Sequence, residues 1–236
     1  PAWKVAPALA YGNCVVFKPA DLVPGCAWAL AEIASRSPLP PGVFNLVMGR
    51  GSVVGQVFLD DARVDAITFT GSVQTGRRVA QAAVARMAKF QLEMGGKNPL
   101  VVADDADLAV AVECAVQGAF YSTGQRCTAS SRLVVTAGIH DRFVAALVER
   151  TRALAVGDAR AAGTQIGPVV DQSQLEQDLR YLEIARQEGA RVGCGGEVLE
   201  RGKPGFYLSP AVLLDATNAI RVAREEIFGP VASVIR

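Results

Sequence analysis

Short apolar runs alternate along the chain with segments whose apolar residues recur every three or four positions. Cys14 to Phe17 is an apolar run and predicts a strand. Pro24 to Ser35 predicts a helix, broken by the stretch Pro38 to Gly42. Val43 to Val47 predicts a second strand, Val53 to Leu59 a short helix, and Ala66 to Phe69 a third strand. From Val73 to Ala88 the apolar positions Val79, Ala83 and Met87 have helical spacing, and Phe90 to Leu92 begins a fourth strand. A strand-helix-strand-helix rhythm argues for a parallel sheet covered by helices on both faces.

Gly95-Gly96 interrupts this rhythm, and a second alternating unit follows. It reads as strand Leu100 to Val102, helix Asp107 to Tyr121, strand Leu133 to Val135 and helix Ile139 to Leu154. A polar, glycine-rich stretch from Gly157 to Gly167 comes next. Then come a helix from Leu175 to Glu188 and short strands near Arg191 to Cys194 and Val231 to Val234. The expectation is an α/β protein of two α/β/α domains with open, mainly parallel sheets, over residues 1–95 and 96–236.

Composition narrows the function classes. The chain has 236 residues, half of them hydrophobic, and a formal net charge of +1. That balance offers no electrostatic footprint for nucleic acid or a membrane surface. No apolar run approaches the roughly 20 residues of a membrane span. The first residues lack the basic start, apolar run and cleavage site of a signal peptide. Pro1 reads as a cut rather than a natural start, and Ile235-Arg236 ends inside a predicted strand, so both domains are expected to be incomplete at the chain ends. Cys14, Cys26, Cys114, Cys127 and Cys194 are scattered and odd in number. They suggest neither a disulfide framework nor a zinc site, and fit a reducing, cytoplasmic setting. A single histidine, His140 at a helix start, excludes two-histidine metal motifs and is expected at the surface without a role.

Several segments carry candidate chemistry. Gly49 to Gly55 follows a strand and opens a helix, but its last gap is one residue too long for a dinucleotide fingerprint. Phe69-Thr70-Gly71-Ser72-Val73-Gln74-Thr75-Gly76 also joins a strand to a helix, whose free N–H groups would face an anion. Ser72 would cap that helix or donate to a phosphate, capping being favoured by spacing. Lys18 and Asp21 lie at a strand's carboxyl end, where open α/β sheets bind ligands, although solvated surface charges are the simpler reading. Glu93, directly before Gly95-Gly96, is placed to act as a general base if partly buried, or simply to pair with Lys97. Cys127 has small polar neighbours and Arg126 beside it, a setting for a thiolate nucleophile. The other four cysteines have apolar or glycine neighbours and read as structural.

Taken together and in order, these segments resemble the aldehyde dehydrogenase superfamily over nearly the whole chain. Trp3-Lys4 with Pro7 to Ala10 and Gly12-Asn13 looks like the lead-in to its first cofactor strand. Phe17-Lys18-Pro19 looks like the end of that strand. Phe69 to Ser72 resembles the pyrophosphate turn, and Glu93 to Lys97 the glutamate signature, with Met94 where Leu is usual. Gly124 to Cys127 resembles the cysteine signature, and Glu225 to Pro230 the segment beside the nicotinamide. The resemblance implies oxidation of a small-molecule aldehyde with NAD or NADP. It makes Cys127 the nucleophile and Glu93 the base. Lys18 and Asp21 would meet the adenosine ribose, and Gly71, Ser72 and Gly76 would lie along the pyrophosphate. Glu226 would meet the nicotinamide ribose and Phe228 the nicotinamide ring. Gly49 to Gly55 becomes a structural turn. The family's oxyanion-hole asparagine is expected upstream of Trp3, and neither Asn13 nor Asn98 is that residue. A homodimer or homotetramer is implied for a full-length protein.

Within the family, Arg126, Thr128 to Ser131 and Asp21 look like bacterial semialdehyde dehydrogenases, the nearest being those for 2-oxoglutarate semialdehyde. Arg126 would then attract an acidic substrate or make a structural ion pair. A carboxylate at Asp21 favours NAD, while Lys18 leaves NADP open. Two alternatives stand beside this reading. In a coenzyme-A-acylating enzyme a thiol would replace water, and Glu93 argues against it. An inactive cofactor-binding protein is opposed by the presence of both Cys127 and Glu93.

Overall fold

The computed structural model describes residues 1–236, and its backbone contacts gather into two units, Pro1–Met94 and Gly95–Arg236. In the first unit the order is α1 (Ala2–Ala10), β1 (Val15–Phe17), α2 (Pro24–Ser35), β2 (Phe44–Leu46), α3 (Gly51–Asp60), β3 (Ala66–Gly71), α4 (Val73–Ala85) and β4 (Lys89–Met94). β1 and β2 pair in parallel from Val15↔Phe44 to Phe17↔Leu46. β3 and β4 pair in parallel over six residues, from Ala66↔Lys89 to Gly71↔Met94. The two pairs are separate ladders rather than one continuous sheet.

The local signals account for these elements. Pro24 opens α2 at the one place where a missing N–H is harmless. Ser72 caps α4 by accepting from Thr75 N at 3.2 Å. Gly76 is buried in α4, and any side chain there would collide with the Met94 sulfur on β4. α1 has no counterpart in the apolar pattern, because Pro7 lies inside it and argues against a helix. Few side chains of this unit are enclosed; Val5, Ala27, Val79 and Ala83 are, whereas Trp3 and Trp28 are exposed.

The second unit contains β5 (Pro99–Val102), α5 (Leu108–Phe120), β6 (Arg132–Val135), α6 (His140–Arg152), α7 (Gln172–Gln187), β7 (Arg191–Cys194), β8 (Val198–Leu199), β9 (Tyr207–Leu208), β10 (Ala211–Ala216), α8 (Arg221–Arg224) and β11 (Val231–Ile235). Five strands form one sheet in the order β5-β6-β11-β10-β7, parallel except for β7 at one edge. β8 and β9 make a small separate hairpin.

Strand periodicity divides the core of this sheet into two layers. Val212 and Leu214 on β10, with Ala232 and Val234 on β11, pack with Phe120 of α5 and Phe143 and Leu147 of α6. Their neighbours Ala211, Leu213 and Val231 face the other way, against Leu182 and Ala185 of α7 and Ile227. Because β10 is covered on both faces, Ala211 to Leu214 is an unbroken apolar run. β10 has no counterpart among the strands predicted from sequence, although a similar apolar run, Cys14 to Phe17, predicts one.

Leu133 on β6 is fully enclosed between the sheet and its helices. Leu133→Ala removes three carbons from that layer and is expected to lower unfolding free energy by about 2–5 kcal/mol. Denaturant titration would read this directly, and a loss under about 1 kcal/mol would mean that the layer closes over the gap.

Candidate active site

The segment that carries Cys127 is held in an uncommon backbone shape. After α5 the chain turns through Ser122 (φ 57°), Thr123 (φ 59°) and Gly124 (φ 65°), three left-handed residues in a row. Such a conformation is costly for the two that bear a Cβ and persists only where packing enforces it. Here Thr123 is buried and its hydroxyl donates to Gly167 O at 3.3 Å. Gly124 presses on the Gly229 carbonyl, and a Cβ would also stand 2.9 Å from Ala119 O. Gln125 Oε1 accepts from Val170 N at 3.0 Å.

Past the turn, Asn98 Nδ2 donates to Cys127 O at 2.6 Å and to Ala129 O at 3.4 Å. Ser130 N donates to Gly118 O at 3.0 Å. The Cys127 side chain is thus exposed on a loop tied on both sides, and its own N–H has no acceptor within the chain. Spacing gave no hint of this use of Asn98. Only its position one residue before a strand that pairs with β6 places it beneath the cysteine loop.

Arg126 departs from the sequence expectation. Its Nη2 donates to Gln117 O at 2.8 Å and Gly118 O at 2.9 Å, near the carbonyl end of α5. A cation there satisfies unpaired helix carbonyls and the helix dipole. The guanidinium's Nη2 is taken up by that helix end, and Arg126 makes no ion pair with a carboxylate of the chain. The other cysteines also differ from expectation: Cys14, Cys26 and Cys114 are exposed, and only Cys194 is buried. His140 does begin α6, where its Nδ1 lies 2.8 Å from Asp141 Oδ1.

Glu226 and Phe228 belong to a second tied segment of the same unit. The Glu226 carboxylate packs directly on Gly95, where no side chain would fit, and accepts from Gly96 N–H. Burial raises its pKa above the usual carboxylate range. Its Oε1 is enclosed and has no hydrogen-bond partner. The Lys97 ammonium is likewise enclosed and unpartnered, and burial lowers its pKa to about 8 against the opposing attraction of Glu226. Phe228 is left-handed (φ 62°) and half-buried. The backbone on either side of it is held from α7: Gln174 and Gln177 both donate to Ile227 O, at 3.0 and 2.8 Å. Gly229 packs against the carboxyl of Asp178, again with no room for a Cβ.

In the first unit Lys18 forms an ion pair with Asp21 immediately after β1. Asp21 Oδ2 accepts from Gly51 N at 3.2 Å, so this carboxylate sits on the start of α3. The hydrogen bond from Lys18, with that from Gly51, holds its pKa below the usual value. Ser72 is occupied as the cap of α4, as its spacing suggests, and its hydroxyl also reaches Thr75 Oγ1 at 3.1 Å. Gly71 lies over the Phe69 ring, and a Cβ there would stand only 2.5 Å from the ring edge. Gly76 serves helix–strand packing, the part a third fingerprint glycine plays. Glu93 is exposed on β4, not partly buried, and its Oε1 accepts from Gln91 Nε2 at 2.5 Å.

The chain matches the aldehyde dehydrogenase family model across residues 1–236 and belongs to that family. Among curated proteins it is 50% identical to the alpha-ketoglutaric semialdehyde dehydrogenase of Bacillus subtilis, covering 100% of this chain and 49% of the relative. It is 49% identical to a betaine aldehyde dehydrogenase of Cereibacter sphaeroides, over 99% of this chain and 48% of the relative. Among solved structures it superposes on betaine aldehyde dehydrogenase from Staphylococcus aureus in complex with NAD+ with a TM-score of 0.96 at 36% identity, covering 99% of this chain and 47% of that one. HpcC from Thermus thermophilus gives 0.93 at 43% identity, over 98% of this chain and 46% of that one. The chain therefore spans about half the length of the curated relatives it matches. No helix is long and apolar enough to cross a membrane.

Asp178 gives this region a pH signature. It is fully enclosed, its Oδ2 has no partner, and burial raises its pKa to about 7. The folded state then holds a proton that the unfolded state has lost between about pH 4 and 7, so stability falls as pH rises through that window and levels off above it. Asp178→Asn is expected to flatten this slope. Urea titrations near pH 5 and near pH 8 would show the wild type losing more stability between them than the variant. Identical losses would place the titration elsewhere.

Proposed function

We propose that this chain supplies the cofactor-binding and nucleophile-bearing parts of an NAD-dependent dehydrogenase that oxidises an aldehyde or semialdehyde to its carboxylic acid. Residues 1–95 are the cofactor-binding domain and residues 96–236 the catalytic part. The observation that carries the reading is the Cys127 loop, an exposed thiol on a backbone fixed by Asn98 and the left-handed turn, with a free N–H beside it.

The residues fit a dinucleotide. α4 starts after Gly71-Ser72 with no acidic residue in its first turn, which suits a pyrophosphate. Asp21 and Lys18 would hold the adenosine ribose. Because the Asp21 carboxylate already occupies the start of α3, a 2′-phosphate would meet its charge, and NAD is favoured over NADP. The enclosed, unpartnered Glu226 Oε1 is suited to accept from a hydroxyl of the nicotinamide ribose, with Phe228 beside the ring. When bound, the nicotinamide accepts the hydride that leaves the substrate carbon.

The chain's own groups do the rest. The Cys127 thiolate attacks the aldehyde carbon, and the oxygen of the resulting thiohemiacetal accepts from the Cys127 N–H. Loss of hydride from that carbon leaves a thioester on Cys127. Glu93 takes a proton from a water whose oxygen attacks the thioester carbon; the carbon–sulfur bond breaks, the acid leaves and the thiolate is restored. Water as the acceptor distinguishes this route from coenzyme A acylation.

The substrate we favour is 2-oxoglutarate semialdehyde, supported by the Bacillus subtilis relative. Betaine aldehyde is the second reading, supported by relatives of nearly equal identity. The five unpaired cysteines suit a reducing compartment such as the cytoplasm.

The test is NADH formation by the intact protein with 2-oxoglutarate semialdehyde, succinate semialdehyde, betaine aldehyde and an aliphatic aldehyde. Cys127→Ala should abolish turnover. Glu93→Gln should keep one rapid NADH release per site while slowing acid release by roughly 10²–10⁴-fold. Undiminished turnover in Cys127→Ala would remove the nucleophile assignment, and a clear preference for betaine aldehyde would replace the semialdehyde reading.

A further inference from the structure

The Glu93 carboxylate sits at the end of a short polar chain in the first unit. Gln91 and Glu93 are two apart on β4 and share one face of the strand. Thr68 is the register partner of Gln91 on β3 and lies directly across from it. Lys4 of α1 reaches the same place: its ammonium donates to Thr68 Oγ1 at 2.5 Å and to Gln91 Oε1 at 2.8 Å. It also reaches Phe69 O at 3.4 Å. The Thr68 hydroxyl in turn donates to Gln91 Oε1 at 2.5 Å. Gln91 Nε2 donates to Glu93 Oε1 at 2.5 Å.

These contacts fix which way round the Gln91 amide lies. Two donors, one of them cationic, converge on its oxygen. Its only remaining partner is a carboxylate, which demands a donor. The reversed amide would set its NH₂ against an ammonium and its oxygen against a carboxylate, losing the bonds from Lys4 and to Glu93 and gaining two repulsions. Glu93 is exposed and would otherwise sample several rotamers. One charge-assisted bond from an immobilised donor restricts it to the rotamers compatible with that bond.

We infer that Gln91 is a positioning residue for Glu93: its amide, locked by Thr68 and Lys4, aims the carboxylate that activates the hydrolytic water. The inference rests on the reading of Glu93 as the base. Gln91 itself touches neither substrate nor reacting atoms. Its effect is confined to the step in which Glu93 takes a proton, and the formation of the thioester on Cys127 does not depend on it. Misplacing a catalytic group by about an ångström is enough to slow a step up to a hundredfold.

The intact protein with Gln91→Met, which keeps the length of the side chain but has no donor, tests this. Thr68→Val, which removes one of the two locks, is made alongside, and Glu93→Gln is the reference. The expected result for Gln91→Met is an unaltered first release of NADH, at one per site, followed by steady-state acid formation slowed about ten- to a hundredfold. Thr68→Val should fall between that variant and wild type. Steady-state rates of Gln91→Met within twofold of wild type, while Glu93→Gln is slow, would overturn the positioning role and leave the base assignment standing. A parallel fall in the first release and in the steady state would also overturn it, as the sign of general damage to the site. If Glu93→Gln itself hydrolyses thioester normally, the base reading fails instead, and the positioning role fails with it.

Discussion

Gly124 lies against the carbonyl of Gly229 so closely that a Cβ on Gly124 would not fit. The second unit's Cys127 loop is organised around this approach. One of the two strands of chain that meet there carries Cys127 three residues on; the other carries Glu226 and Phe228 just before it. Each is independently fixed, the first by the enclosed Thr123 and by Asn98, the second by Gln174 and Gln177 of α7. Ser122 and Thr123 before the first glycine, and Phe228 before the second, are left-handed. The strain is local, and the well-packed sheet beneath supplies the stability that tolerates it.

Charge is handled in a similar way. Arg126 bonds to helix carbonyls, so no side-chain cation contacts the thiol through it. Three of the seven enclosed side-chain atoms without a partner, Glu226 Oε1, Lys97 Nζ and Asp178 Oδ2, are gathered around the Glu225 to Gly229 segment. An enclosed polar atom without a partner typically costs about 1–3 kcal/mol.

Most elements could be read from the apolar pattern because their signals are local. Pro24, Ser72 and Asp107 mark helix starts where the structure has them, and α2 and β7 coincide with their predicted ranges. The pattern misses α1, β8, β9, β10 and α8; in α1 the cause is a proline that the pattern treats as a stop. The candidate residues were legible as motifs, in that Cys127, Glu93 and the Gly71-Ser72 turn each stand out by residue type. What holds them was not. Asn98 beneath Cys127, Asp178 beneath Gly229 and Thr68 beside Gln91 are separated by 29, 51 and 23 positions in the chain, and only tertiary packing joins them.

That difference follows from how the two kinds of residue are specified. A nucleophile or a base is recognisable because few side chains can do its chemistry. A support is chosen by geometry, and any donor of the right reach will serve. Gln91 illustrates the point: in sequence it is one polar residue on an alternating strand, indistinguishable from a solvated one. Its meaning comes from β3, whose register sets Thr68 opposite it, and from α1, which brings Lys4 to the same oxygen. With its oxygen taken twice, its nitrogen has one direction left, toward Glu93. The orientation of the carboxylate is thus a consequence of strand pairing, reached through a residue that carries no chemistry of its own.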